Sequence, residues 1–324
     1  MLKTSMTEMF GIDYPIQCGT LQWLSRAELV AAVANSGGLA CIAAATFPNK
    51  GELAKEIART KELTNRPFGV NISLFPPATP EIIKEQIRIV IDMGIHIIET
   101  SGRSPEPYRN MIIDGGMAHI HKCARVKDAI KADTLGVDAI SIVGGECGGH
   151  PGMAAISSMV LIPLVVDSVR KPIIAGGGIC DGKSMMAALA LGAVGVNMGT
   201  RFIATHECMA NERVKQCYLD ASETETCLVM ESLMNPGRVL RTQWAEKVLK
   251  MEENGSTLEE LYPMISGQIT LRGFSEGLFE EGLYPAGQVV GRIRDIVSVS
   301  DLIKRIVNEA LEVKDRLDSL FHRV

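Results

Sequence analysis

The sequence predicts an α/β chain built on a (β/α)8 TIM barrel, with an additional C-terminal helical subdomain near the barrel mouth. Three observations carry this prediction. Eight short apolar runs alternate with helical stretches between residues 15 and 198. Most of these runs lack polar alternation, as parallel strands buried on both faces do. Past about Ala204 the strand–helix rhythm stops, and helical segments follow one another. A doubly wound sheet is the alternative, but it usually has fewer strands, and no Gly-x-Gly-x-x-Gly follows the first run.

Taken in order, the candidate strands are residues 15–17, 39–44, 68–74, 96–100, 118–123, 139–143, 172–175 and 195–198. Helical stretches at 26–36, 50–63, 125–135 and 183–191 carry apolar residues at spacings of three and four. Residues 1–203 are thus expected to form the barrel. Residues 204–324, with helices at 207–219, 241–253 and 297–320, are expected to form the subdomain packed on it.

The chain has 324 residues, 46% hydrophobic and 22% charged, and a formal net charge of −5. Such a chain can bury a large core. The acidic balance and scarce aromatics argue against nucleic acid as a partner. No apolar run approaches the roughly 18 residues of a membrane span, and residues 1–8 have no signal-type apolar core. The eight cysteines (Cys18, Cys41, Cys123, Cys147, Cys180, Cys208, Cys217 and Cys227) include no Cys-x-x-Cys pair. Reduced thiols and a cytoplasmic location are therefore expected. No metal-ligand spacing appears. His119 and His121, two apart in a strand, face one side and are assigned supporting roles in the core.

Candidate chemistry gathers at the carboxyl ends of the strands. The sixth run leads into Gly144-Gly145-Glu146-Cys147-Gly148-Gly149-His150-Pro151, a glycine-rich turn bearing one histidine. Glycine lets a backbone approach a ligand closely, and histidine suits proton transfer near neutrality. The seventh run leads into Gly176-Gly177-Gly178-Ile179, with Asp181 as a plausible N-cap of the next helix. The eighth ends in Asn197-Met198-Gly199-Thr200-Arg201. Loops after strands seven and eight are the usual phosphate site of this fold. The backbone N–H groups of Gly177, Gly178, Gly199 and Thr200 are suited to converge on a dianion. Asn71 and Ser73 at the third strand end, Lys122 at the fifth, and Thr20-Leu21-Gln22 after the first supply polar handles for a flat heterocycle.

These motifs resemble the nitronate monooxygenase family of flavin barrels, formerly called 2-nitropropane dioxygenases. The resemblance spans nearly the whole chain. It rests on Gln22-Trp23, residues 32–39, residues 66–71, His121-Lys122-Cys123, residues 146–152 and residues 197–202. Within the family the NADH:quinone reductase branch is the nearest in motif. FMN-dependent enoyl reductases are related, and Tyr284-Pro285-Ala286-Gly287-Gln288 is similar to their tail motif. The resemblance implies a non-covalent flavin mononucleotide held by Thr20, Leu21, Gln22, Asn71, Ser73, Lys122, Gly148, Gly176, Gly177, Gly178, Gly199 and Thr200. It implies His150 as the catalytic residue beside the flavin, and no metal.

The first expected function is an FMN oxidoreductase that passes electrons from NADH or NADPH to a quinone or similar acceptor. The chain Phe75-Pro76-Pro77-Ala78-Thr79-Pro80 would gate the site. Oxidation of an alkyl nitronate by dioxygen is a second reading. Oxidoreduction of a CoA or carrier-protein thioester is a third, with Arg238 and Arg241 available for phosphates. A flavin-free phosphosugar-type barrel using Lys122 as a Schiff-base nucleophile belongs to another class. The partner in each case is a small molecule, and a homo-oligomer is left open.

Overall fold

The computed structural model describes residues 2–49, 51–75 and 78–320. Eight parallel strands close into a barrel in sequence order. They are β1 (Ile16–Cys18), β2 (Leu39–Ala43), β3 (Gly69–Ser73), β4 (Ile97–Ser101), β5 (Ala118–Cys123), β6 (Ala139–Val143), β7 (Ile173–Gly176) and β8 (Gly195–Met198). β8 pairs with β1 in register Gln17 to Asn197, which closes the ring. Nearly every strand residue is buried, as the absence of polar alternation requires. The bottom of the barrel is sealed by α1 (Ser5–Phe10). Its Met6 and Phe10, with Ile12, meet the inward-facing Leu39, Ile97, Ile120, Ala139 and Ile174. A Cβ at Gly195 would collide with the Met6 sulfur, so a glycine is needed where the plug enters.

The connecting helices are α2 (Ala27–Asn35), α3 (Glu52–Leu63), α4 (Pro80–Asp92), α5 (Arg109–Asp114), α6 (Val126–Thr134), α7 (Ser158–Ser168) and α8 (Gly182–Ala190). Three of them escape the sequence pattern, and α5, at six residues, is too short to show a period. α7 is apolar on nearly every face and carries Pro163, so it shows no amphipathic stripe. α4 begins at Pro80 behind the Thr79 cap, and the prolines just before it hide the helical start. Lys50, the expected start of α3, and Pro76 and Pro77 of the expected gate lie outside the described residues.

After β8 comes one turn, α9 (Thr200–Ile203), then α10 (Glu212–Asp220). The helical tail expected from sequence also contains strands that the sequence does not announce. An antiparallel pair, β9 (Thr226–Val229) and β10 (Gly237–Leu240), lies within it. α11 (Gln243–Glu253), α12 (Leu258–Ile265) and α13 (Gly267–Glu276) follow. The last helix, α14 (Val299–Leu320), returns to pack on α8 and α2 and fills the remaining gap in the outer ring. Its Leu302, Ile303, Ile306 and Ala310 are buried there. The leucine and the two isoleucines each contribute about 1.5–3 kcal/mol on burial. No described helix is long and apolar enough to cross a membrane.

Candidate active site

Below the mouth, the inner face of the barrel turns polar at Gln17, Asn71, Glu99, Lys122, Ser141 and Asn197. Glu99, on β4, is fully buried. Its Oε1 accepts from Asn71 Nδ2 at 2.6 Å, Thr20 Oγ1 at 2.9 Å and Lys122 Nζ at 3.3 Å. Its Oε2 accepts from Gln17 Nε2 at 2.8 Å. Burial works to raise the carboxyl pKa. The Lys122 charge and the Thr20, Gln17 and Asn71 hydrogen bonds overcome it and hold the group below its ordinary range. A buried carboxylate is tolerable only when so partnered. Glu99 is not among the residues expected from the sequence. Its one local signal is a charge inside the run Ile97-Ile98-Glu99-Thr100.

Above this layer, the β6 loop is clamped by β10. Gly149 and Arg238 exchange backbone hydrogen bonds at 3.0 and 2.6 Å. Arg238 Nε donates to the Gly145 carbonyl at 3.1 Å, so Arg238 serves the loop, and Arg241 is engaged by Glu246 at 2.7 Å. His150 lies at the open end, its ring 5.7 Å from that of Phe75. Its Nδ1 is 3.1 Å from the Pro236 carbonyl. A carbonyl only accepts, so Nδ1 carries the proton and Nε2 keeps its lone pair. The surrounding protein lowers the His150 pKa, although the Pro236 and Asn235 carbonyls oppose this. The side chain is exposed by area, yet walled closely enough for this desolvation. The adjacent Cys147 thiol is pushed up to about 12 by burial and is no nucleophile at neutral pH.

The β7 and β8 loops lie side by side. Among the described residues, the N–H groups of Gly177, Gly178, Gly199 and Thr200 donate to no protein acceptor. A Cβ on Gly199 would touch only Leu21, at 3.5 Å, and one on Gly178 would find Glu146 atoms at 3.7 Å or more. That is a shallow cradle of free donors, and an anionic group fits it. The α8 N-terminus does not add to it. Asp181 caps Ser184 N at 2.9 Å, and the Glu309 carboxylate takes Gly182 N at 2.9 Å. Glu146, near the cradle, is turned onto Ser158, accepting from its N and Oγ at 2.9–3.0 Å.

Other expected contacts separate on inspection. Gly176 packs on Val143 and the Asn197 carbonyl. A Cβ on Gly148 would run into Ala286 and Gly287 backbone atoms at 2.7–2.9 Å, so that glycine permits a chain crossing. Thr200 Oγ1 accepts from Gly287 N at 2.9 Å, and Gln288 N donates to the Glu146 carbonyl at 3.0 Å. The segment 285–288 thereby holds the β6 and β8 loops together. Leu21 N is anchored on Ser25 Oγ at 2.8 Å, and Ser73 ends β3 beside Ser101. Gln22 is exposed, and its amide faces the start of α13 at Gly267.

The fold is a (β/α)8 barrel that gathers these polar side chains and free N–H groups at its carboxyl face, where barrel enzymes carry their sites. A family model for nitronate monooxygenase matches residues 3–309, and the chain belongs to that family of oxidoreductases. It is 31% identical to a (3aS,4S,5R,7aS)-5-hydroxy-7a-methyl-1-oxo-octahydro-1H-indene-4-carboxyl-CoA dehydrogenase of Mycobacterium tuberculosis, over 96% of each chain. It is 30% identical to a probable nitronate monooxygenase of Staphylococcus haemolyticus, over 78% of this chain and 82% of that one. Among solved structures, FabK from Thermotoga maritima matches with a TM-score of 0.91 and 32% identity, over 99% of this chain and 100% of that one.

Proposed function

We propose that this enzyme holds flavin mononucleotide non-covalently and oxidises or reduces an acyl thioester at the carbon next to its carbonyl. The donor set supports the cofactor. Gly177, Gly178, Gly199 and Thr200 would hold the phosphate through free N–H groups. Lys122, Thr20 and Asn71 would meet the polar edge of the ring. When bound, the flavin supplies a two-electron acceptor or donor at the mouth.

The observation that carries the reaction is the fixed tautomer of His150. Its Nδ1–H is held by the Pro236 carbonyl and its pKa is lowered, so Nε2 is a neutral base at physiological pH. A base there takes a proton from a carbon made acidic by an adjacent electron-withdrawing group, and the two electrons would leave as hydride from the next carbon to the bound flavin, forming the α,β double bond; reduction would run the same transfers in reverse. The β10 clamp keeps the loop from drifting, and that orientation is itself part of the catalysis. Thioester chemistry is supported by a relative: the CoA dehydrogenase named above matches over 96% of each chain. The same base would take the α-proton of a neutral nitroalkane and so form the nitronate that the family's name points to.

Anaerobic mixing with an acyl-CoA series, an alkyl nitronate, NADH and NADPH in separate runs tests the proposal by flavin bleaching. Bleaching by an acyl-CoA, slowed about 10²-fold or more in His150→Asn with flavin retained, is the expected result. Bleaching by the nitronate alone would replace the thioester reading. Bleaching by a reduced nicotinamide alone would leave only the reducing direction, and reoxidation of that flavin by a quinone but not by an enoyl-CoA would replace the thioester reading. Purified protein that takes up no FMN would remove the cofactor itself.

A further inference from the structure

The Glu99 cluster does more than neutralise a buried charge, because it fixes which way the neighbouring groups point their protons. Thr20 has one hydroxyl hydrogen, and Glu99 takes it at 2.9 Å. Toward the mouth, Thr20 Oγ1 can therefore only accept. Asn71 spends its amide N–H groups on Glu99 at 2.6 Å and Ser101 at 3.4 Å. Its Oδ1 then remains as an acceptor without a partner among the described residues. Lys122 gives Glu99 one N–H at 3.3 Å and keeps two, with 21% of its side chain exposed. The site thus offers two acceptors and one cationic donor. That pattern complements a ring edge in which an N–H adjoins a carbonyl and an imine nitrogen. With a glutamine at 99 the pattern would scramble, since an amide nitrogen would face donors.

We propose that Glu99 is a positioning residue: it orients Thr20, Asn71 and Lys122 for the polar edge of a bound pyrimidinedione ring and offsets the Lys122 charge there. Two consequences follow on electrostatic grounds. Loss of the Glu99 charge leaves the Lys122 ammonium uncompensated in a poorly solvated site. A cation beside the ring favours added electrons, so the midpoint potential of the bound flavin rises. Misdirected hydrogen bonds meanwhile weaken ring binding, on the order of tenfold for one bond lost.

This inference rests on the flavin reading, and the experiment separates the two. Apo-protein of the wild type, Glu99→Gln, Lys122→Met and the double variant is titrated with FMN by fluorescence quenching. The midpoint potential of each reconstituted form is then measured with redox dyes. The expected results are weaker FMN binding and a higher potential for E99Q, and a lower potential for K122M. The double variant should return toward the wild-type potential, because both charges are gone. It also covers the case in which E99Q does not fold, since neutral replacement of both members of a buried pair is tolerated better than removal of one. Wild-type protein that binds FMN while E99Q matches it in affinity and potential would overturn the role of Glu99 alone. A double variant whose potential equals that of K122M would do the same. Wild-type protein that binds no FMN would overturn both readings.

Discussion

Acidification should unfold this protein earlier than its carboxylates require, because two histidines are buried in neutral form. His119 and His121 project from β5 to the outer face of the barrel and share Thr100. Its Oγ1 lies 2.7 Å from His119 Nε2 and 2.9 Å from His121 Nδ1. Burial, with help from Arg109 and His121, pulls His119 down to about 3. Burial likewise pulls His121 to about 4, against the opposing pull of Asp128 and Glu99. In the unfolded chain both titrate near 6.5. The unfolded state therefore binds protons first as pH falls, and stability is lost from about pH 6.5 downward. At pH 5 each histidine costs about 2 kcal/mol, so the pair removes about 4 kcal/mol relative to pH 7.5. That is a large share of a typical 5–15 kcal/mol. Glu99 acts lower down: its pKa is depressed in the fold, so its contribution persists until pH drops below the ordinary glutamate range. Urea denaturation at pH 7.5 and 5.0 reads the loss directly. His119→Gln/His121→Gln should be less stable at pH 7.5 but nearly flat across the window. A wild-type loss below about 1 kcal/mol, or an equal loss in the double variant, would show that the buried histidines do not set the acid limit.

Gly178→Asp should abolish FMN retention while leaving the fold intact, as judged by gel filtration and melting temperature. A Cβ fits there, aspartate tolerates positive φ better than most residues, and its carboxylate would occupy the cradle. The neighbouring Gly177 is a poorer probe, since its Cβ would meet Gly144 N at 2.8 Å and disturb the backbone. Gly273→Ala, inside α13, should destabilise by about 2 kcal/mol although helix propensity alone predicts a gain of about 1 kcal/mol. Its new methyl would strike the Tyr284 hydroxyl, which donates to the Glu281 carbonyl at 2.6 Å. A stabilised variant in thermal melts would contradict that packing.

What the sequence made legible was local, and what it hid was assembled from distant positions. The strands declare themselves through uninterrupted apolar runs, because a barrel strand is buried on both sides. β9 and β10 did not, being four residues each in a stretch with no alternation. The β6, β7 and β8 loops were visible because each is a contiguous glycine-rich segment. Glu99 was not, because its partners lie 82, 79, 28 and 23 residues away along the chain. Only barrel closure brings Gln17, Thr20, Asn71 and Lys122 onto one carboxylate.

Glycine itself carries two meanings that one sequence cannot separate. Gly148 and Gly178 lie in neighbouring loops and read alike as places where a ligand approaches. A side chain at Gly148 would meet the backbone of residues 286 and 287, whereas one at Gly178 would stand in the cradle. The first glycine lets the chain cross itself, so that segment 285–288 can tie the β6 loop to Thr200. The second leaves donors free. The tail motif that resembled an enoyl reductase's therefore sits within the site as the strap between two of its loops. Substitutions there should alter the aim of His150 and the cradle together, even where they touch neither.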